Sequence, residues 1–300
     1  MTNYDLIIIG AGPAGLTAAV YSARFKIKTL VLGSLPGGLA GEAHEVCNFP
    51  SYGKISGMEL MMKMVKQVQD LGVQIKSEEV ENIKQGKTFE IKTKKNSYTA
   101  KKLIIATGSE RRKLNAPREK ELLGKGISYC ATCDSGFYKD KIVAVIGGGD
   151  AALTASLLLS RFAKKVYIIY RKDKFSRGDP TWVDQAEKTK NIEFIFNSEI
   201  TNLFGKSSLE EIEINGKEKI KVDGLFIEVG SVPNTKLAEM LKLKLSHGYI
   251  EVDKNQKTNV DGVYAAGDIT NNPLKQIVTA CAEGAIASQT AYKELQGGKK

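Results

Sequence analysis

Histidine is nearly missing from this 300-residue chain, with His44 and His247 its only two, and cysteine is confined to Cys47, Cys130, Cys133 and Cys281. A zinc site would need four such ligands close together. Four cysteines are also too few for the disulfide framework of a secreted scaffold this long, so any disulfide is expected to be catalytic rather than structural. No run approaches the roughly 18 to 20 uninterrupted apolar residues that cross a bilayer. The opening Met1-Thr2-Asn3-Tyr4-Asp5 lacks the basic-then-apolar layout of a signal peptide, so no membrane association is expected and the expected location is the cytoplasm. Aromatic residues do not interleave with the lysines (Lys92, Lys94, Lys95, Lys101, Lys102, Lys242, Lys244), so the net charge of +10 reads as solvated faces and not as a nucleic-acid surface. It leaves room for a mild preference for an acidic protein partner or a phosphorylated cofactor. A hydrophobic content of 42% is enough for two cores, and the length suggests about two domains.

The most informative stretch is Cys130-Ala131-Thr132-Cys133-Asp134. Two thiols three positions apart can close and open a disulfide, and this spacing lowers one thiol into the thiolate range. The pair is a candidate redox switch. Half of a zinc site, completed by Cys47 and His44, and an inert buried pair of thiols are its rivals. Asp134 is the nearest proton carrier to the pair, and its rival role is a helix cap.

Two glycine turns flank this motif. Residues Tyr4 to Ile9 form an apolar run of the kind that becomes a strand buried on both faces of a parallel sheet. Gly10-Ala11-Gly12-Pro13-Ala14-Gly15 follows, and then a helix from Leu16 to Arg24. Strand, glycine turn and helix in this order make a dinucleotide fingerprint: Gly10 turns the chain, Gly12 admits a pyrophosphate, and Gly15 lets helix and strand close up. Thr29 to Leu32 is the second strand, but Gly33-Ser34 stands where an acid usually holds the ribose. The loop Pro36-Gly37-Gly38 lies near the same ligand. The Met-rich helix Gly57 to Leu71 reads as core filled by Met58, Met61, Met62 and Met64, Val80 to Thr99 as an antiparallel meander, and Leu103 to Gly108 as a separate buried strand. The second fingerprint runs from strand Lys141–Ile146 through Gly147-Gly148-Gly149-Asp150-Ala151-Ala152 into a helix from Leu153 to Phe162. Its following strand, Val166 to Tyr170, ends in Arg171-Lys172-Asp173-Lys174-Phe175-Ser176-Arg177. Positive charge there suits the 2′-phosphate of NADP, and a ligand-free basic cluster is the alternative. Two fingerprints imply two dinucleotides. Gly262-Val-Tyr-Ala-Ala-Gly267-Asp268 places Asp268 to accept a ribitol hydroxyl, and a small-residue helix from Leu274 to Tyr292 returns the chain to the first domain.

With these pieces in order, and with Asn48-Phe49-Pro50, Ala106-Thr107-Gly108, Pro233-Asn234-Thr235 and Lys275-Gln276 at their places, the chain resembles the low-molecular-weight thioredoxin reductases over nearly its whole length. The resemblance implies an α/β fold of two Rossmann-like three-layer ββα domains, the second inserted into the first. An FAD domain is expected at 1–113 and 241–300, and an NAD(P) domain carrying the cysteines at 114–240. It implies FAD contacts at Gly10, Gly12, Pro13, Ala14, Gly15, Gly33, Ser34, Gly37, Gly38, Leu39, Asn48, Val80, Ala106, Gly108, Gly267, Asp268, Lys275, Gln276 and Ile277. NADPH contacts are implied at Gly147, Gly149, Asp150, Ala151, Ala152, Arg171, Lys172 and Arg177. It also implies a homodimer with a rotation between its domains, and a thioredoxin or glutaredoxin-like partner. In that scheme Cys133 faces the flavin, Cys130 attacks the partner's disulfide and Asp134 handles protons.

Some residues depart from the family pattern: Leu39 stands for glutamine, Cys47 for glutamate, Ser135 for glycine and Lys275 for arginine. The NADP motif departs most, with Tyr170 for histidine, Lys172 and Ser176 for arginines, and Arg177 displaced by one. Lysine lacks arginine's planar bidentate contact, which leaves open weak NADPH binding or another electron donor. Two rival functions remain at this stage. One is a ferredoxin-NAD(P) reductase-like flavoenzyme with idle cysteines, and the other is a nucleotide-binding protein without turnover.

Overall fold

The computed structural model describes residues 2–33, 36–43, 45–176 and 178–297. The chain divides into two units: unit 1 comprises residues 1–41, 46–110 and 233–300, and unit 2 comprises 42–45 and 111–232.

Unit 1 is built on one mixed sheet. Strand β1 (Thr2–Ile9) runs parallel to β2 (Thr29–Leu32) and to β6 (Ser97–Ile105), and β3 (Gln74–Lys76) extends the β2 edge. On the other side, β4 (Val80–Gln85) and β5 (Phe89–Thr93) pair antiparallel, and β5 joins the first half of β6. The strand Val263–Ala265 pairs parallel with Leu103–Ile105 in the second half of β6. Alternation along β1 sends Ile7 and Ile9 into one core and Leu6 and Ile8 into another, which is why its sequence is continuously apolar. The second core is closed by α1 (Pro13–Arg24) and the C-terminal helix Ile277–Gly297, both rich in small residues.

Three expectations change here. The meander and the strand expected at 103–108 share one continuous strand, β6; Lys101 and Lys102 interrupt its apolar run but pair outward, with Asp5 at 2.7 Å and Glu294 at 2.5 Å. Of the four methionines of α2 (Gly57–Asp70), only Met61 is fully buried and Met64 partly so. Met58 and Met62 are 56% and 52% exposed, because the helical period turns them away from Leu60, Met61, Val65 and Val68. The inserted unit closes at residue 232 and not at 240, because Leu237, Ala238, Leu241 and Leu243 are buried in the first core of unit 1.

Unit 2 carries a five-stranded parallel sheet in the order Ile192–Ile195, Lys165–Ile169, Ile142–Ile146, Gly224–Ile227, Ile127–Ser128. The helix Asp150–Leu159 packs on one face. A three-stranded antiparallel sheet, Ile200–Phe204, Glu211–Ile214 and Glu218–Lys221, contributes to the other core. Among the described residues no helix is long and apolar enough to cross a membrane.

One charged cluster pins the end of the C-terminal helix to the sheet of unit 1. The Glu294 carboxylate accepts from Lys102 Nζ at 2.5 Å, Lys257 Nζ at 2.6 Å and Tyr264 Oη at 2.6 Å. Burial alone would raise its pKa, but these three donors outweigh that and hold it down at about 2, against an ordinary 4.5. A carboxyl depressed by folding stabilises the fold above about pH 4.5 and loses that contribution as pH falls towards 2. Glu294→Gln is therefore expected to cost on the order of 2–3 kcal/mol at pH 7, read from urea unfolding midpoints, with the deficit shrinking as the buffer is acidified below pH 4.5. Equal midpoints at pH 7 would refute this.

Candidate active site

In unit 1 the first fingerprint forms an open cradle. Helix α1 has Gly12 at its N-cap and Pro13 in its first turn, no side chain caps it, and its first turn holds no acid, which suits an anion at this end. Gly37 N–H donates to Ala11 O at 2.7 Å, which brings the Gly37-Gly38 loop alongside, and Leu39 follows in the short helical turn Gly38–Glu42. A side chain at Gly12 would touch only Gly37 O, at 4.0 Å. Gly33 N–H donates to Lys76 O, and Ala106 N–H to Ile9 O at 2.7 Å, so the strand ends carrying both residues are fixed; Gly108 O accepts from Asn234 N–H. Val80 is buried at the start of β4. Ser34 lies outside the described residues.

Past the strand Val263–Ala265, polar groups converge on the same region of unit 1. Gly267 N–H donates to Glu283 Oε2 at 2.7 Å, and Thr270 Oγ1 donates to the same oxygen at 3.0 Å. Burial pushes the Glu283 carboxyl up. Asp268 is also raised by burial, against the pull of Lys275 and a hydrogen bond from Ser109. Lys275 is lowered by burial against the pull of Glu283 and Asp268; its ammonium donates to Thr270 O and lies 4.6 Å from the Tyr249 ring centroid. Asn48 Nδ2 donates to Gln276 Oε1 at 3.0 Å, just before Ile277 opens the C-terminal helix. Glu283 and Tyr249 were missed in the sequence, although Glu283 is the one acid in the small-residue run from Ala280 to Ala287. The uncapped start of α1 fits the pyrophosphate of a dinucleotide, and Asp268, Lys275, Asn48 and Gln276 are polar groups of the same unit that suit its other parts.

In unit 2 Cys130 and Cys133 form a disulfide. Cys130 is half-buried and Cys133 exposed, on the turn Ala131–Asp134. Cys133 N–H donates to Cys130 Sγ at 3.2 Å. Asp134 follows directly, half-buried, and its side chain caps no helix. With both sulfurs joined, neither is a zinc ligand, and among the described residues no group of three or more metal-ligating side chains occurs; His44 lies outside them. Deeper in the unit, the Glu228 carboxyl is pushed up by burial, with Arg111 at 2.9 Å pulling it back.

The second fingerprint has one open half. The helix Asp150–Leu159 starts at Gly149 without a side-chain cap, and nothing lies within 4 Å of where a side chain at Gly149 would sit. Asp150 Oδ1 accepts from Asp179 N–H at 2.6 Å, Ala151 is exposed and Ala152 is buried. Arg171 and Lys172 are exposed, and Lys172 Nζ donates to Ser176 Oγ at 3.0 Å. Arg177 lies outside the described residues. The other half is closer-packed, with the buried ring of Tyr170 lying against Gly148.

Comparison with known proteins follows the same lines. Residues 4–284 match the family model described as pyridine nucleotide-disulphide oxidoreductase. The chain belongs to the pyridine nucleotide-disulphide oxidoreductases. It is 40% identical to the thioredoxin reductase of Listeria innocua over 301 residues, which is 98% of this chain and 94% of that protein. The crystal structure of Lactococcus lactis thioredoxin reductase (FR conformation) matches with a TM-score of 0.94 at 37% identity, covering 98% of this chain and 99% of that one. A ferredoxin-flavin thioredoxin reductase from Clostridium acetobutylicum also matches, with a TM-score of 0.55 at 33% identity, covering 99% of each chain. This oxidoreductase family couples a pyridine nucleotide to a disulfide, and both elements have candidate places here: the second glycine turn and the Cys130–Cys133 bond.

Proposed function

We propose that this chain is a flavoprotein thioredoxin reductase, with FAD held in the cradle of unit 1 and NADPH as the electron donor to unit 2. The observation that carries the reading is the Cys130–Cys133 disulfide, presented on an exposed turn and supported by a hydrogen bond to one of its sulfurs. FAD is favoured because the uncapped start of α1 suits a pyrophosphate and Asp268 suits a ribitol hydroxyl. When bound, it supplies a two-electron store between nucleotide and disulfide.

The chain's own residues account for the thiol chemistry. Once the disulfide is opened, Cys133 N–H stabilises a thiolate at Cys130. That thiolate attacks one sulfur of the thioredoxin disulfide, forms a mixed disulfide and expels the other sulfur as a thiolate. Cys133 then attacks Cys130 Sγ, which restores the internal bond and releases the second thioredoxin thiolate. Asp134 is the nearest carboxylate for moving the two protons involved. A reductase of this kind works in a reducing compartment, which supports the cytoplasm. The exposed apolar side chains of Met58 and Met62, one turn apart on α2, support a homodimer that covers them.

The reading is tested with purified, flavin-loaded protein, oxidised thioredoxin, and NADPH, NADH or reduced ferredoxin supplied in turn. Thioredoxin thiols are expected to appear with NADPH. Turnover with ferredoxin and with neither nucleotide would overturn the donor assignment, and no thioredoxin reduction with any donor would overturn the function.

A further inference from the structure

The two glycine turns of this chain differ at one corresponding place. In unit 1 the residue after the second strand is Gly33, which faces Ala11: a side chain at Gly33 would come within 2.8–2.9 Å of Ala11 atoms. In unit 2 the arrangement is reversed. The residue after the second strand is Tyr170, only 8% exposed, and the residue it faces is Gly148. A Cβ at Gly148 would lie 2.3–2.4 Å from three atoms of the tyrosine ring, so the ring occupies the volume a side chain there would need. Its hydroxyl lies 3.5 Å from Ser176 Oγ, and its ring joins an aromatic cluster. Tyr170 stacks on Phe175 at 5.7 Å and 11°, and Phe175 meets Phe194 and Phe196 edge-on at 5.5 and 5.2 Å. The backbone is pinned as well: Tyr170 N–H donates to Ile195 O at 2.9 Å and Tyr170 O accepts from Ser198 N–H at 3.1 Å. The ring can leave only by side-chain rotation that breaks the stack.

The end of the second strand is where a dinucleotide-binding fold meets the adenosine ribose. We propose that Tyr170 is a plug in the nucleotide site of unit 2: its ring holds the adenosine position, and NADPH and NADH alike must displace it to bind. The pyrophosphate side at Gly149 remains open, so the site takes nucleotides weakly and does not reject them outright. This rests on the proposed pyridine nucleotide site in unit 2 and names the residue that sets its affinity.

Binding of NADP⁺ and NAD⁺, which carry no hydride and cause no turnover, is measured on the flavin-loaded protein by calorimetry. Quenching of Trp182, the chain's only tryptophan, on the helix Pro180–Lys188 and packed against the core that Phe175 also joins, provides a second readout. Tyr170→His and Tyr170→Ala are expected to bind both nucleotides at least about tenfold more tightly than the wild type, and Tyr170→Phe, which keeps the ring, to bind like the wild type. Tyr170→His guards against a collapse of the aromatic stack in the alanine variant. Equal affinity across wild type, histidine and alanine variants overturns the plug and leaves the nucleotide site standing, as does tightening in Tyr170→Phe to match Tyr170→His. Absence of binding by every variant overturns the plug together with the nucleotide half of the proposed function.

Discussion

Replacing Cys133 by serine is expected to lower thioredoxin reduction by on the order of 10⁴-fold while the protein stays folded and yellow. The serine cannot close the internal disulfide, so an electron pair has no route to Cys130 and a mixed disulfide formed there is not resolved. The residual chemistry is informative about roles. With Cys130 left as the only thiol of the pair, its attack on oxidised thioredoxin produces a mixed disulfide that no neighbouring sulfur resolves, and that adduct is expected as a covalent band on a non-reducing gel. Cys130→Ser is expected to lose activity to the same extent without accumulating the adduct. The opposite pattern, an adduct from Cys130→Ser alone, would exchange the two roles, and full activity in either variant would show that the disulfide is idle.

Gly284→Ala is expected to have a large effect on the fold. A Cβ there would lie 2.0 Å from Ala14 O, a backbone atom at the start of α1, so the C-terminal helix and α1 would have to separate. Overpacking against a rigid neighbour costs about 3 kcal/mol, and the displacement falls on the turn that would receive the pyrophosphate. Lower thermal stability and a reduced ratio of flavin absorbance to protein are expected together. Normal stability with full flavin content would show that the two helices are not as tightly coupled as the contact implies. The same variant at Gly297, with nothing within 4 Å, serves as the control.

The parts of this molecule that could be read from the sequence are those fixed by local chemistry. A buried strand, a glycine turn and a small-residue helix are set by neighbours a few positions apart, so Gly10–Gly15 and Gly147–Ala152 announced themselves, as did a cysteine pair at a spacing that closes. Features set by distant partners did not. Lys101 and Lys102 read as solvated faces between two strands, because Asp5 and Glu294, which receive them, lie far away in the chain. Treating four methionines of α2 as one class hid the period that buries Met61 and exposes Met58 and Met62. Tyr170 registered as a missing histidine; that its ring would settle on Gly148 depends on two loops meeting, which no local pattern specifies. Glu283 was legible in principle, since an acid in an apolar helix must find donors, and it finds Gly267 and Thr270.

The strand Val263–Ala265 arrives late in synthesis. Residues Leu103–Ile105 of β6 wait for it with one edge bare while the ribosome makes residues 111–232 of unit 2, whose five-stranded sheet is complete by Ile227. Nascent chains are thus expected to pass through a stage in which the inserted unit is finished and the surrounding one still shows an open β edge. At that stage, and no later, the polypeptide is most in need of a chaperone.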